Sequence, residues 1–278
     1  MYRLFAVLAL CLPLLLAARG ATADTFEEEP IVGAGAHFAW VVFDALRPDL
    51  ERATGRLVEL HGRYSALGMG CNAGIKIAAR NGDHFGFVCC PLADEEVKRK
   101  KLRVFPIARE PILIMVNDAN PVRELSAEQV RAIFRGEIAN WKDVGGRDEP
   151  IVVVTRLHCK KRPGHWKTIL PDARAFRPQR LNVSSAAEME QRIAAFPGAI
   201  GHIGATWDFQ PDSTIHALRI DGREATADNL RSGHYPFYRD LSAVTGPDPS
   251  PDVLTLIDRV RNGDAIQRIV ARYQLMKL

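Results

Sequence analysis

Ile31-Val32-Gly33-Ala34-Gly35-Ala36-His37-Phe38 runs an apolar, strand-like pair into a glycine-rich loop and then toward a helix. The same grammar returns twice. Leu57–Leu60 reads as a strand, and Gly68-Met69-Gly70-Cys71-Asn72-Ala73-Gly74 is a second glycine loop, leading into a helix over Gly74–Arg80 that ends near Asn81-Gly82. His84–Val88 reads as a third strand, and it delivers Gly86-Phe87-Val88-Cys89-Cys90-Pro91-Leu92. Between the first two strands, Val41–Thr54 has a helical pattern with Gly55 as its stop, and Pro48 marks a kink or a second start within it. Strand, loop, helix and strand in alternation predict an α/β fold with parallel pairing and crossover helices. Ligands of open α/β sheets gather at the carboxyl ends of strands, where these three loops fall.

The rest of the chain continues the pattern. Pro111–Asn117, the most hydrophobic run after the N-terminus, predicts a fully buried strand. Ser126-Ala127-Glu128-Gln129 is a capping box opening a helix through Phe134, and Gly136 stops it. Ile151–Thr155 predicts another buried strand and delivers a loop from Arg156 to His165. Ser185-Ala186-Ala187-Glu188 is a second capping box, its helix ending before Pro197-Gly198, and Ala199–Ile203 reads as a strand. Pro251–Asn262 and Asp264–Tyr273 read as the last helices.

Residues 1–23 read as a secretory signal, with Arg3 before the apolar stretch Leu4–Ala17 and Ala21-Thr22-Ala23 as the cleavage site. That stretch is too short for a comfortable membrane span, and no later segment reaches the roughly 18 apolar residues of a membrane helix. Leu10 precedes Cys11 where lipid attachment would call for a small residue. An exported, periplasmic protein without a membrane span is the expectation. Of the 37 basic and 33 acidic residues, the signal holds only Arg3 and Arg19, so the mature chain is nearly balanced. No general affinity for nucleic acid or membrane follows. Four cysteines remain after cleavage, namely Cys71, Cys89, Cys90 and Cys159. In an oxidising compartment an even number suggests disulfides.

The ordered motifs resemble the periplasmic phosphate-binding protein family, the solute-binding component of ABC transporters. Gly33–Phe38, Gly70-Cys71-Asn72-Ala73-Gly74-Ile75 and Phe85–Leu92 resemble its first lobe. Leu125–Trp141 looks like its helix-Gly-x-Ile-x-x-Trp signature, Gly198–Ile203 like its Gly-Ala-Ile-Gly-Tyr strand, and Tyr235-Pro236-Phe237 like its Tyr-Pro-Leu return segment. The resemblance implies a two-lobed fold of type II character, each lobe a mixed sheet flanked by helices, with a two-strand hinge and ligand held between. It places lobe I at 24–109 and 241–278 and lobe II at 110–240. It implies a monomer that hands a small solute to a membrane permease or sensor, and no enzymatic chemistry. No nucleophile elbow or metalloprotease helix signature accompanies the Cys and His residues.

The loops depart from that family where it holds its oxyanion. His37 stands at a threonine position, Cys71 at a serine position, and Cys89 at the acid of the third loop, with Cys90 beside it. Arg156 is retained, but the following loop reads Leu157-His158-Cys159-Lys160-Lys161-Arg162-Pro163-Gly164-His165-Trp166, from which His158, Cys159 or His165 could face the cleft. Oxygen groups give way to sulfur and imidazole. A thiol is a weak donor and a poor oxyanion cradle, whereas thiolates and imidazoles suit zinc, copper(I) and other thiophilic ions. The expected ligand site is His37, Phe38, Cys71, Asn72, Cys89, Cys90, Arg156, His158 and Cys159, with His37, Cys71 and Cys89 as ligands of a soft metal or metalloid. Two alternatives stand beside it. In one, Cys71 bridges to Cys89 or Cys90 in a structural disulfide that closes the pocket, leaving a sensor or structural module. Or phosphate or another oxyanion is retained through Arg156, the basic loop and the loop amides. His61, His84, His202, His216 and His234 read as structural.

Overall fold

The structure, a computed structural model, describes residues 29–61, 70–159 and 164–278, without the side chains of 37–40. The signal segment, Gly68-Met69 and Lys160-Lys161-Arg162 lie outside the described residues, as do the His37 and Phe38 side chains. The order of elements begins β1 (Ile31–Gly35), α1 (His37–Thr54), β2 (Val58–His61), α2 (Cys71–Ala78), β3 (His84–Val88), α3 (Asp94–Lys100) and β4 (Arg103–Asn117). It continues β5 (Glu124–Leu125), α4 (Ala127–Arg135), β6 (Val152–Thr155), β7 (Leu181–Asn182), α5 (Ala186–Ala195), β8 (Ala199–Gly204), β9 (Ile215–Ala217) and β10 (Arg219–Ile220). The chain closes with α6 (Ala227–Arg231), β11 (Tyr238–Thr245), α7 (Pro251–Asn262), α8 (Ala265–Arg272) and β12 (Met276–Lys277).

As the alternation predicts, β1 pairs in parallel with both β2 and β3. Beyond β3 the sheet changes character. The strands run β2-β1-β3-β11-β4-β8-β6-β7, and β11 is antiparallel to both β3 and β4. β4 is longer than its sequence suggests. Only Pro111–Asn117 is a continuous apolar run, but pairing with β11 extends the strand back to Arg103 through residues whose charges face outward or pair. The same strand then pairs with β8, so β4 carries the sheet from one hydrophobic core to the next. One core takes residues from 31–108 and from 241–275, and a second takes residues from 112–237. The chain thus leaves the first core along β4 and returns along β11.

Local chemistry explains the boundaries. Ser126 Oγ accepts from the Gln129 amide and Gln129 Oε1 accepts from the Ser126 amide, completing the capping box of α4, while Gly136 ends it at φ 90°. The second box is half built. Ser185 caps α5, but the Glu188 carboxylate turns to the amide and hydroxyl of Ser184. α1 runs unbroken through Pro48 from His37, four residues earlier than its apolar pattern suggests, and Gly55 closes it at φ 68°. α2 likewise begins at Cys71 rather than Gly74. α7 falls on the predicted residues and α8 within them. Among the described residues, no helix is long and apolar enough to cross a membrane.

Candidate functional site

Two glycines set the site's first half. A Cβ on Gly86 would stand 2.0 Å from the Gly74 carbonyl oxygen, and one on Gly74 would stand 2.8 Å from that of Phe87. Bare Cα atoms therefore let α2 lie directly on β3. That contact brings Cys71, the first residue of α2, beside Cys89, which follows the last residue of β3. Their sulfurs are 3.6 Å apart, and the Cys89 amide donates to Cys71 Sγ at 3.2 Å. Cys90 Sγ lies 3.9 Å from Cys89 Sγ. All three side chains are buried.

The second half comes from the loop after β6. Trp166, fully buried in the second core, donates its indole N–H to the His158 carbonyl and holds that loop down. Cys159 sits in the left-handed region at φ 56°, where a residue with a Cβ is strained. It packs against the first core although its loop hangs from the second. Cys71, Cys89 and Cys90 form one group whose ligand atoms all lie within 4.8 Å of one another. Cys90, His158 and Cys159 form another. Cys90 belongs to both.

Electrostatics favour metal-ready donors. Hydrogen bonds from Cys159, Cys89 and Cys90 hold the Cys71 thiol well below its ordinary value. The donors correspondingly keep their protons, and Cys159 is pushed up to about 11, chiefly by Cys71. Burial lowers His158 to about 4, so its ring is neutral at ordinary pH. His158 Nδ1 lies 3.1 Å from the Arg156 carbonyl. With the proton on Nδ1 donated there, Nε2 keeps its lone pair for a metal, the arrangement that metal-binding histidines generally adopt.

A buried polar network stands beside the thiols. Arg239 on β11 and Glu110 on β4 are directly opposed in register and form an ion pair, with Glu110 fully buried. The Thr206 amide and hydroxyl donate to Glu110 Oε1 at 2.8 and 2.6 Å. A Cβ on Gly204 would stand 2.5 Å from Arg239 and 2.6 Å from Glu110, so that glycine makes room for the pair. Arg239 Nη1 lies 3.3 Å from His165 Nδ1, and His165 Nε2 lies 3.2 Å from His202 Nδ1. Burial keeps both imidazoles uncharged, with His202 lowered to about 3. Arg156, at the end of β6, is lowered by burial and by Arg239, while Cys89 and Cys159 oppose that shift. Its Nε and His202 Nε2 are buried without a hydrogen-bond partner among the described residues.

Of the sequence-derived candidates, the structure brings together Cys71, Cys89, Cys90, His158 and Cys159, with Arg156 adjacent. The alternative of a Cys71 disulfide is not shown: the four described cysteines are free, and 3.6 Å between the Cys71 and Cys89 sulfurs is beyond the roughly 2 Å of a bond. Asn72 is exposed at the head of α2. His37 and Phe38 lie in α1, their side chains outside the described residues. His165 stands between the two groups, its ring 4.6 Å from that of His158 and 5.1 Å from that of His202. His61 is exposed beside Glu59. Sequence reasoning missed Glu110, Arg239 and the place of His202. The last had a signal, since His202 stands where the Gly-Ala-Ile-Gly strand motif carries tyrosine.

A long antiparallel strand pair joining two α/β cores, with side chains from both converging between them, defines a two-lobed binding-protein fold. The profile of the PBP superfamily domain matches residues 50–260, and the chain belongs to that family. It is 28% identical over 176 residues to the phosphate-binding protein PstS of Bacillus subtilis, covering 63% of this chain and 58% of that one. With PstS of Borreliella burgdorferi it shares 25% over 163 residues, covering 55% of this chain and 58% of that one. The chain thus spans under two thirds of the length of these curated relatives. Its fold matches a phosphate ABC transporter substrate-binding protein of Clostridium perfringens, solved with bound phosphate, at TM-score 0.74 and 24% identity over 90% of this chain and all of that one. An ABC-type phosphate transport receptor of Vibrio cholerae matches at TM-score 0.67 and 23% identity, over 88% of this chain and 99% of that one.

Proposed function

We propose that this chain is an exported solute-binding protein that captures a soft metal or metalloid ion, in place of phosphate, between its two lobes. The named relatives are binding proteins of phosphate transport, and the reading for this chain is likewise binding rather than catalysis, with delivery to an ABC permease or a membrane sensor. The observation that carries the choice of ligand is the convergence of four free thiols and His158 from three separate loops. Soft thiolate donors select thiophilic ions. They offer an oxyanion only weak hydrogen bonds. The residues present suit such an ion, with His158 neutral and its Nδ1 engaged, and with the guanidinium of Arg156 near Cys89 and Cys159, where thiolate charge would develop on binding.

The test is a titration of reduced, metal-free protein with zinc, copper(I) and arsenite, repeated in Cys71→Ser. Binding of at least one of these tighter than about 10 μM, and lost in the variant, supports the reading. No such binding, or binding indifferent to the substitution, contradicts it. Tight phosphate binding instead would support an oxyanion site built on Arg156 and the loop amides.

A further inference from the structure

We propose that the site holds two copper(I) ions, bridged by the Cys90 thiolate. This rests on the soft-ion reading above and goes beyond it in ion, number and geometry. The observation is the shape of the donor set. Five donors do not form one shell but two triads sharing a vertex: Cys71, Cys89 and Cys90 in the first, and Cys90, His158 and Cys159 in the second.

The separations suit metal–thiolate coordination. Metal–sulfur bonds of about 2.3 Å place neighbouring sulfurs about 4.0 Å apart in a planar triad and about 3.8 Å apart in a tetrahedron. The observed 3.6 Å between Cys71 and Cys89 and 3.9 Å between Cys89 and Cys90 fit either, and it is the grouping of the donors that sets the number of ions. A structural zinc site takes four donors in one closed tetrahedron and would leave a fifth unused. Copper(I) is satisfied by fewer, softer ligands, and a thiolate sulfur has lone pairs enough to serve two ions. Charge agrees. Two monovalent ions neutralise half of four thiolate charges, and the Arg156 guanidinium stands against the remainder, near Cys89 and Cys159. A single copper(I) would leave a larger buried negative charge. On binding, the thiol protons pass to solvent and copper stays in its +1 state.

The two triads also differ in origin. The first is complete on loops of the first core. The second takes His158 and Cys159 from the loop after β6. The first ion therefore binds to a preformed triad, and the second ion ties the two parts together.

Anaerobic titration with copper(I) against a chromophoric copper(I) chelator reads the stoichiometry. The wild-type protein retains two equivalents, and the Cys159→Ser and His158→Ala variants retain one. X-ray absorption of the wild type shows copper–copper scattering at two equivalents and none at one, a readout independent of any variant's folding. Saturation at one equivalent that is lost in Cys71→Ser overturns the bridged pair and leaves the soft-ion reading standing. Two equivalents retained in Cys159→Ser, or absence of copper–copper scattering at full loading, also overturns it. If copper(I), zinc and arsenite all fail to bind, the soft-ion reading itself falls and takes the pair with it.

Discussion

Cys89 donates its backbone N–H to the sulfur of Cys71, and the two sulfurs lie 3.6 Å apart although 18 positions separate them in sequence. Nothing about two cysteines 18 positions apart dictates this distance. It is set by Gly74 and Gly86, which let α2 rest on β3. Sulfurs so placed are too far apart to be bonded and near enough to share an ion.

Removing Cys71 should therefore weaken capture by the Cys71, Cys89 and Cys90 triad rather than folding. Serine is close in shape, and Cys71 lies under the first core with other thiols as neighbours. Losing the groups that merely orient ligands costs roughly 10–100-fold in metal affinity. Cys71→Ser should lose more than about 100-fold for copper(I), with a thermal midpoint close to the wild type. A competition titration alongside a melting curve checks both halves.

The same proximity makes Cys71 the entry point for oxidation. Its lowered pKa supplies the attacking thiolate, and Cys89, its sulfur 3.6 Å away on the same lobe, is a partner within reach. With oxidised glutathione, the Cys71 thiolate displaces one glutathione thiolate to form a mixed disulfide. Cys89 then displaces the second and closes a Cys71–Cys89 bridge. Peptide mapping should find that bridge before any involving Cys159, and the oxidised protein should no longer bind copper(I). Preferential Cys90–Cys159 bridging would argue against Cys71 as the reactive thiolate.

Glu110 and Arg239 face each other across β4 and β11 in the strands that join the two cores. Arg239→Met leaves the carboxylate of Glu110 buried without its counter-charge, a loss of roughly 3–5 kcal/mol. The double variant Glu110→Leu with Arg239→Met should recover most of that loss. Urea unfolding of the three proteins measures it, and a single variant as stable as the wild type would remove the pair from the account.

His202 gives the metal-free protein a defined acid sensitivity. Its folded value is about 3, against about 6.5 in the unfolded chain. Above pH 6.5 neither state is protonated there and stability is full. As pH falls below about 6.5 the unfolded chain takes up a proton that the folded one refuses, and stability drops by roughly 1.4 kcal/mol per pH unit until about pH 3. His165 shifts in the same direction and steepens the fall. The urea midpoint should decline from pH 6.5 to pH 4.5, and His202→Phe should flatten that slope. An unchanged slope would mean that His202 is not held neutral.

The fold was legible wherever local chemistry speaks for itself. Ser126 with Gln129 announces α4, Ser250 ahead of Pro251 begins α7, and Gly55 ends α1. The start of α2 was hidden because Cys71, Asn72 and Ala73 carry no capping signal, and Gly70 caps through its backbone alone. The first half of β4 was hidden because its charges find partners only across β11, as Arg109 does with Asp240. Cys71 and Cys89 could be read as ligand candidates from their place in the loops. Cys90 as a shared corner could not, because that depends on Cys159 reaching back from the other core. Glu110 and Arg239 become a pair only through strand register, which sequence spacing does not contain.

The central claim, that this fold has exchanged an oxyanion for a soft cation, is tested most directly by thermal unfolding of the reduced, metal-free protein with each ligand in turn. Copper(I), delivered from a buffering chelate, should raise the midpoint by the equivalent of about 2.7 kcal/mol at a hundredfold over its dissociation constant, and millimolar phosphate should leave it unmoved. Stabilisation by micromolar phosphate, with none by copper(I), zinc or arsenite, would contradict the account.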